Sequence, residues 1–237
     1  MKTETLDYKD GDVACRGYLA IPDGSDKRPG IIVAHEAPGL DDHPKMRAEI
    51  LANLGYVALA LDMYGGGKTV MGEETMKIMG PFRESAPLTR GRARAALDAL
   101  ARQPRVDAGR LGAMGYCFGG YGVLELARSG APLKGVVSFH GLLTAHNPAD
   151  GANVKAKILV CTGADDPLVP PDQVLGFQKE MTAAKVDWQV HCYGGARHAF
   201  TNKNADKVGR DALAYNKAAD DGSWEAMRDF WAETLKN

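Results

Sequence analysis

Strands and helices take turns along this chain, and that alternation limits the fold more than any other feature. Apolar, β-prone runs recur at residues 30–34, 56–61, 111–115, 135–139, 158–162 and 188–193, each bounded by Gly, Pro or polar residues. Most are too continuous for a strand with one wet face, so they are expected to be buried on both faces. Between them lie helical segments at 44–54, 88–102, 120–128 and 171–184, and a closing one at 223–235 with Ser223 as its expected N-cap. This order predicts an α/β fold with a mostly parallel sheet covered by helices on both sides. Segments 5–9 and 13–21 have no helix between them and are joined by Asp10-Gly11-Asp12, which predicts an antiparallel N-terminal hairpin at one edge. Residues 65–86, rich in Gly and Met, are the least regular and are expected to form a loop and short helix over a pocket.

With 237 residues, 45% of them apolar, the chain has enough material for a sizeable core. It has no internal repeat, low-complexity tract or linker, so one domain over residues 1–237 is expected. A net charge of −1 argues against a nucleic-acid partner. The first twelve residues lack the apolar centre of a signal peptide, and no apolar run is long enough to span a bilayer. The expectation is a cytoplasmic protein with no membrane partner. Cysteines at 15, 117, 161 and 192 form no CxxC pair, which argues against a zinc knuckle or a redox dithiol.

The run 111–115 leads directly into Tyr116-Cys117-Phe118-Gly119-Gly120 and then a helix. A strand, a sharp turn and a helix form the setting of a nucleophile elbow, here G-x-C-x-G in place of G-x-S-x-G. Small residues are needed two before and two after the nucleophile because the turn is so tight, and Gly115 and Gly119 stand there. A helix start also favours a thiolate through its dipole and free N–H groups, so Cys117 is the candidate nucleophile. The plainer reading is a buried cysteine in a glycine-rich packing turn.

A thiol nucleophile needs a base, and the base needs an acceptor to orient it. Asp166 follows the run 158–162 in a G-x-x-D-x-x-V spacing that fits it better than Asp165, and His198 follows the run 188–193. The order Cys117, Asp166, His198 is that of α/β-hydrolases. His43, His140, His146 and His191 are read as structural or solvated. Glu36 lies at the end of the run 30–34, in a loop that in this fold supplies an oxyanion-hole donor.

His35-Glu36 with Gly39, the segment from Gly115 to Gly120, the segment from Gly163 to Val169 and His198-Ala199-Phe200 together resemble the dienelactone hydrolase family over nearly the whole chain. The resemblance implies an α/β-hydrolase fold and a Cys117, Asp166, His198 triad. It also implies an oxyanion hole of the Phe118 and Ala37 backbone N–H groups, and a Glu36 that contacts the resting thiol and helps deprotonate it. The residue four after His198 is Asn202, where the family has an arginine for the substrate carboxylate, and Lys68, Arg83 and Arg197 are read as surface residues.

The expected activity is hydrolysis of activated carboxylic esters or enol lactones through a thioester, with no metal or organic cofactor. The expected partner is a small-molecule ester, lactone or phosphotriester. A phosphotriester hydrolase using the same nucleophile is the rival reading. A non-catalytic ligand-binding protein of the same fold and a redox role for Cys117 are more remote.

Overall fold

The computed structural model describes residues 1–235. Its eight strands are β1 (Lys2–Asp10), β2 (Val13–Ile21), β3 (Arg28–Ala34), β4 (Val57–Ala60), β5 (Val106–Tyr116), β6 (Gly135–Phe139), β7 (Lys157–Gly163) and β8 (Trp188–Tyr193). They form one sheet in the order β1-β2-β4-β3-β5-β6-β7-β8. β1 and β2 form the expected hairpin, β2 is antiparallel to β4, and every pairing from β4 to β8 is parallel. The helices are α1 (Asp42–Asn53), α2 (Glu73–Glu84), α3 (Ala86–Ala101), α4 (Phe118–Arg128), α5 (Pro171–Ala183) and α6 (Lys217–Thr234).

Strand residues alternate between two apolar layers, as the two-residue period of a strand requires. Ile31, Val33, Met114 and Val137 face Leu51 of α1 and Trp231 of α6, while Ile32, Ala34, Ala113 and Val136 face the layer built on α3, α4 and α5. Each fully buried Ile, Val, Leu or Met side chain among these contributes roughly 1.5–3 kcal/mol.

Two expectations are corrected. β8 is not buried on both faces: it is the edge strand, and its side chains range from half-buried to exposed. Ser223 does not cap the last helix. α6 starts six residues earlier, at Lys217, where the Asn216 side chain accepts the Ala219 N–H at 3.1 Å; Ser223 is buried in its interior and donates to the Asp220 carbonyl at 3.1 Å. A serine donating back into its own helix satisfies its hydroxyl without ending the helix. The region 65–86 does hold a helix, α2, preceded by a loop whose residues 68–70 bond to Pro38 and Leu40.

Candidate active site

β5 ends at Tyr116 and α4 begins at Phe118, so Cys117 alone makes the turn, at φ 53° and ψ −113°. A non-glycine residue in this region is strained, and such strain gathers at functional sites. A Cβ on Gly115 would strike the Gly119 carbonyl, and one on Gly119 would strike the Ala34 carbonyl. The two glycines flanking the turn are therefore required by backbone contact. The Tyr121 N–H gives the Cys117 carbonyl a bond of 3.2 Å, so the Phe118 N–H before it lies in the first turn of the helix, where N–H groups have no intrahelical partner.

Asp166 lies in the loop after β7 and is buried; its Oδ1 accepts the Leu168 N–H at 2.8 Å. Its Oδ2 lies 2.8 Å from Nδ1 of the buried His198. The His198 backbone is itself pinned, its N–H to the Ala212 carbonyl and its carbonyl to the Ala214 N–H, both at 3.1 Å. Nε2 of His198 is buried and makes no hydrogen bond among the described residues. Burial works against protonation of the ring, but the charges of Cys117 and Asp166 outweigh it and lift its pKa to about 10.

Glu36, buried at the end of β3, has its side chain turned to Asn202, whose Nδ2 donates to Oε2 at 2.5 Å, and to His43 Nδ1 at 3.4 Å. Among the described residues Cys117 is not one of its hydrogen-bond partners. Arg47 Nε donates to His43 Nε2 at 3.3 Å, which leaves the Nδ1 hydrogen for Glu36. Burial pushes the Glu36 pKa up, yet the His43 and Asn202 side chains hold it down at about 2. Arg47 also pairs with Asp220 at 2.7 Å, tying this cluster to α6.

The loop carrying Ala37 is held on both sides. Tyr64 donates its hydroxyl to the Ala37 carbonyl at 2.7 Å, and His35 Nδ1 lies 2.6 Å from the Glu36 carbonyl. Tyr64, Phe82 and Phe118 pack with ring centroids 5.8 Å apart in each pair, an apolar wall beside the elbow. Phe82 comes from α2, so the region 65–86 contributes to the site.

Two histidines belong to the site that the sequence placed outside it. His43, expected in a polar loop, lies half-buried in the first turn of α1 and packs against Tyr116 with ring centroids 4.7 Å apart. His140 is fully buried and bonds the elbow. An apolar strand ending in histidine was the available signal for His140, but nothing local marks His43. Lys68, Arg83 and Arg197 are exposed as expected.

A backbone turn that presents a thiol beside a carboxylate-oriented imidazole is equipped for nucleophilic attack on a carbonyl or phosphoryl centre. A sequence profile of the dienelactone hydrolase family matches residues 15–235. The chain belongs to the dienelactone hydrolase family. A dienelactone hydrolase-like promiscuous phosphotriesterase from metagenomic libraries is 41% identical to it over 99% of both chains, with a TM-score of 0.97. A Saccharolobus solfataricus protein provisionally named carboxymethylenebutenolidase is 28% identical over 97% of this chain and 98% of its own. An acylaminoacyl peptidase from Pyrococcus horikoshii, 16% identical with a TM-score of 0.76, shares the fold alone; this chain spans 42% of it. For this dienelactone hydrolase family member, the expected α/β-hydrolase fold is borne out. No helix among the described residues is long and apolar enough to cross a membrane.

Proposed function

We propose that this family member hydrolyses activated carboxylic esters or enol lactones through a Cys117 thioester. The observation that carries the reading is the buried His198, oriented by Asp166 at 2.8 Å and subject to the charge of the Cys117 sulfur. Cys117 passes its thiol proton to His198, the sulfur attacks the carbonyl carbon, and the carbonyl oxygen takes up negative charge, which the Phe118 and Ala37 N–H groups receive. The adduct collapses by breaking the C–O bond, and His198 gives its proton to the departing oxygen. Water then loses a proton to His198, attacks the thioester and releases the acid with the thiol restored. A sulfur adduct must expel its oxygen leaving group in competition with sulfur, so enol and phenol esters suit it better than amides. Glu36, held ionised by His43 and Asn202, places a fixed negative charge in this region, which disfavours carboxylate-bearing substrates. Asn202 also supplies no cation in place of the family's arginine.

The likeness to a promiscuous phosphotriesterase, 41% identical, favours a second reading, in which the same sulfur attacks a phosphotriester. The test is kcat/KM for p-nitrophenyl butyrate and for diethyl p-nitrophenyl phosphate, which share a leaving group, on the wild type and on Cys117→Ala. A large preference for the carboxylic ester supports the first reading, a comparable or better phosphotriester rate makes the second the leading one, and full activity of Cys117→Ala overturns both.

A further inference from the structure

His140 sits at the end of β6, the strand that lies between β5, which leads to Cys117, and β7, which leads to Asp166. The sheet order therefore places this residue at the end of the strand between those leading to the nucleophile and the acid. Its backbone is at φ 41°, a second strained non-glycine position at the same end of the sheet. Several contacts hold the ring, among them Phe200 edge-on with centroids 5.1 Å apart. Nδ1 lies 3.1 Å from the Cys117 backbone N–H, which also reaches the Phe139 carbonyl at 3.0 Å. Nε2 lies 2.8 Å from the Thr201 hydroxyl, and the ring stands edge-on to His198 with centroids 5.3 Å apart.

These contacts decide the tautomer. A backbone N–H only donates, so Nδ1 of His140 must carry the lone pair, and the hydrogen must sit on Nε2, where Thr201 accepts it. We propose that His140 is a positioning residue of the hydrolysis, holding the Cys117 peptide at the elbow and presenting an uncharged ring to His198, with Thr201 fixing its tautomer. The proposal rests on Cys117 as nucleophile and His198 as base.

The charges around His140 make neutrality matter. Glu36 faces it from the loop after β3, His43 and Arg47 from α1, and His198 from the loop after β8. His198 gains a proton during each half of the cycle, and a second cation at this spacing would oppose that step. Burial first, and then His198, hold the His140 pKa well below the ordinary range. Thr201 joins the two sides: its hydroxyl meets His140 and its carbonyl accepts Arg47 Nη2 at 3.0 Å, three residues beyond His198.

The experiment uses the 237-residue chain and its Thr201→Val, Thr201→Ser, His140→Ala and Cys117→Ala variants. Steady-state kcat and KM are measured separately on p-nitrophenyl butyrate, and the rate of Cys117 alkylation by iodoacetamide is followed directly. Thr201→Val keeps the shape and removes the acceptor, so it is expected to lower kcat and the alkylation rate roughly tenfold, with KM unchanged, as loss of one buried hydrogen bond allows. Thr201→Ser, which keeps the hydroxyl, is expected to restore both. His140→Ala is expected to lose more than Thr201→Val in kcat; if it does not fold, the Thr201 pair carries the test. An inactive Cys117→Ala with wild-type kcat and alkylation in Thr201→Val overturns the His140 proposal alone, whatever happens to the melting temperature. A fully active Cys117→Ala overturns the nucleophile reading and this proposal with it.

Discussion

Cys117 is held by its own backbone, in a turn whose flanking glycines touch neighbouring carbonyls, whereas Glu36 is held by side chains that reach it from α1 and from the loop after β8. The first arrangement is a rigid backbone turn: the segment from Gly115 to Gly119, packed against Ala34 and bonded by Phe139 and His140, sets the direction of the sulfur. The second is assembled, since His43, Asn202 and Arg47 are distant from Glu36 or from one another in sequence and meet only in the folded chain. The nucleophile half should therefore fail abruptly when altered, and the acid half by degrees.

The largest effect expected is in the nucleophile half. Cys117→Ala and His198→Ala should each lower kcat/KM for p-nitrophenyl butyrate by roughly three orders of magnitude or more, and Asp166→Asn by about as much, because it removes the acceptor that orients the ring. Circular dichroism should show little loss of fold in Cys117→Ala. An Asp166→Asn enzyme within tenfold of wild type would mean that the orienting acceptor lies elsewhere.

Next comes the backbone of the elbow. Gly119→Ala brings a Cβ into the Ala34 carbonyl, which cannot retreat without moving β3, so the variant is expected to be several kcal/mol less stable by urea titration, at the upper end of single-site effects. Asn202→Ala touches the acid half and should be milder. It removes one charge-assisted hydrogen bond to Glu36, a change on the order of 1.5–3 kcal/mol, because His43 still faces the carboxylate. A Gly119→Ala as stable as Asn202→Ala would break the contrast between the two halves.

The two halves should also separate by pH. His198 has its pKa raised from 6.5 to about 10, so its contribution to stability is complete below pH 6.5 and lost as pH rises through about 10. Glu36 has its pKa lowered from 4.5 to about 2, so its contribution is complete above pH 4.5 and lost as pH falls toward 2. Melting temperatures across pH should therefore flatten on the alkaline side in Cys117→Ala, which removes the main charge that raises His198, and on the acid side in Glu36→Gln. The smallest effect is expected at Arg83→Ala, whose side chain is exposed, with kcat/KM unchanged for neutral esters.

Much of this molecule was legible before folding because its signals are local. The parallel strands at 135–139 and 188–193 coincide with the apolar runs, and the hairpin, the elbow glycines and the order of Cys117, Asp166 and His198 depend on short spacing and on sheet order. Ser223 misled because a hydroxyl near a helix start and one inside a helix look alike until the chain entering the helix is seen; Asn216 fills the cap instead. β8 misled because an apolar run does not say whether another strand lies beyond it.

By itself, the sequence determined the class of sheet, the turn that exposes a thiol and the residues able to orient a base, since each follows from neighbours along the chain. Only the tertiary structure decided that His43 and His140 belong to the site and that Glu36 faces Asn202 and His43. It also decided that Phe82 of α2 stands beside the elbow. Those contacts join residues far apart in sequence, and whether such side chains meet depends on how helices and loops pack across the sheet, which no local pattern of residues encodes.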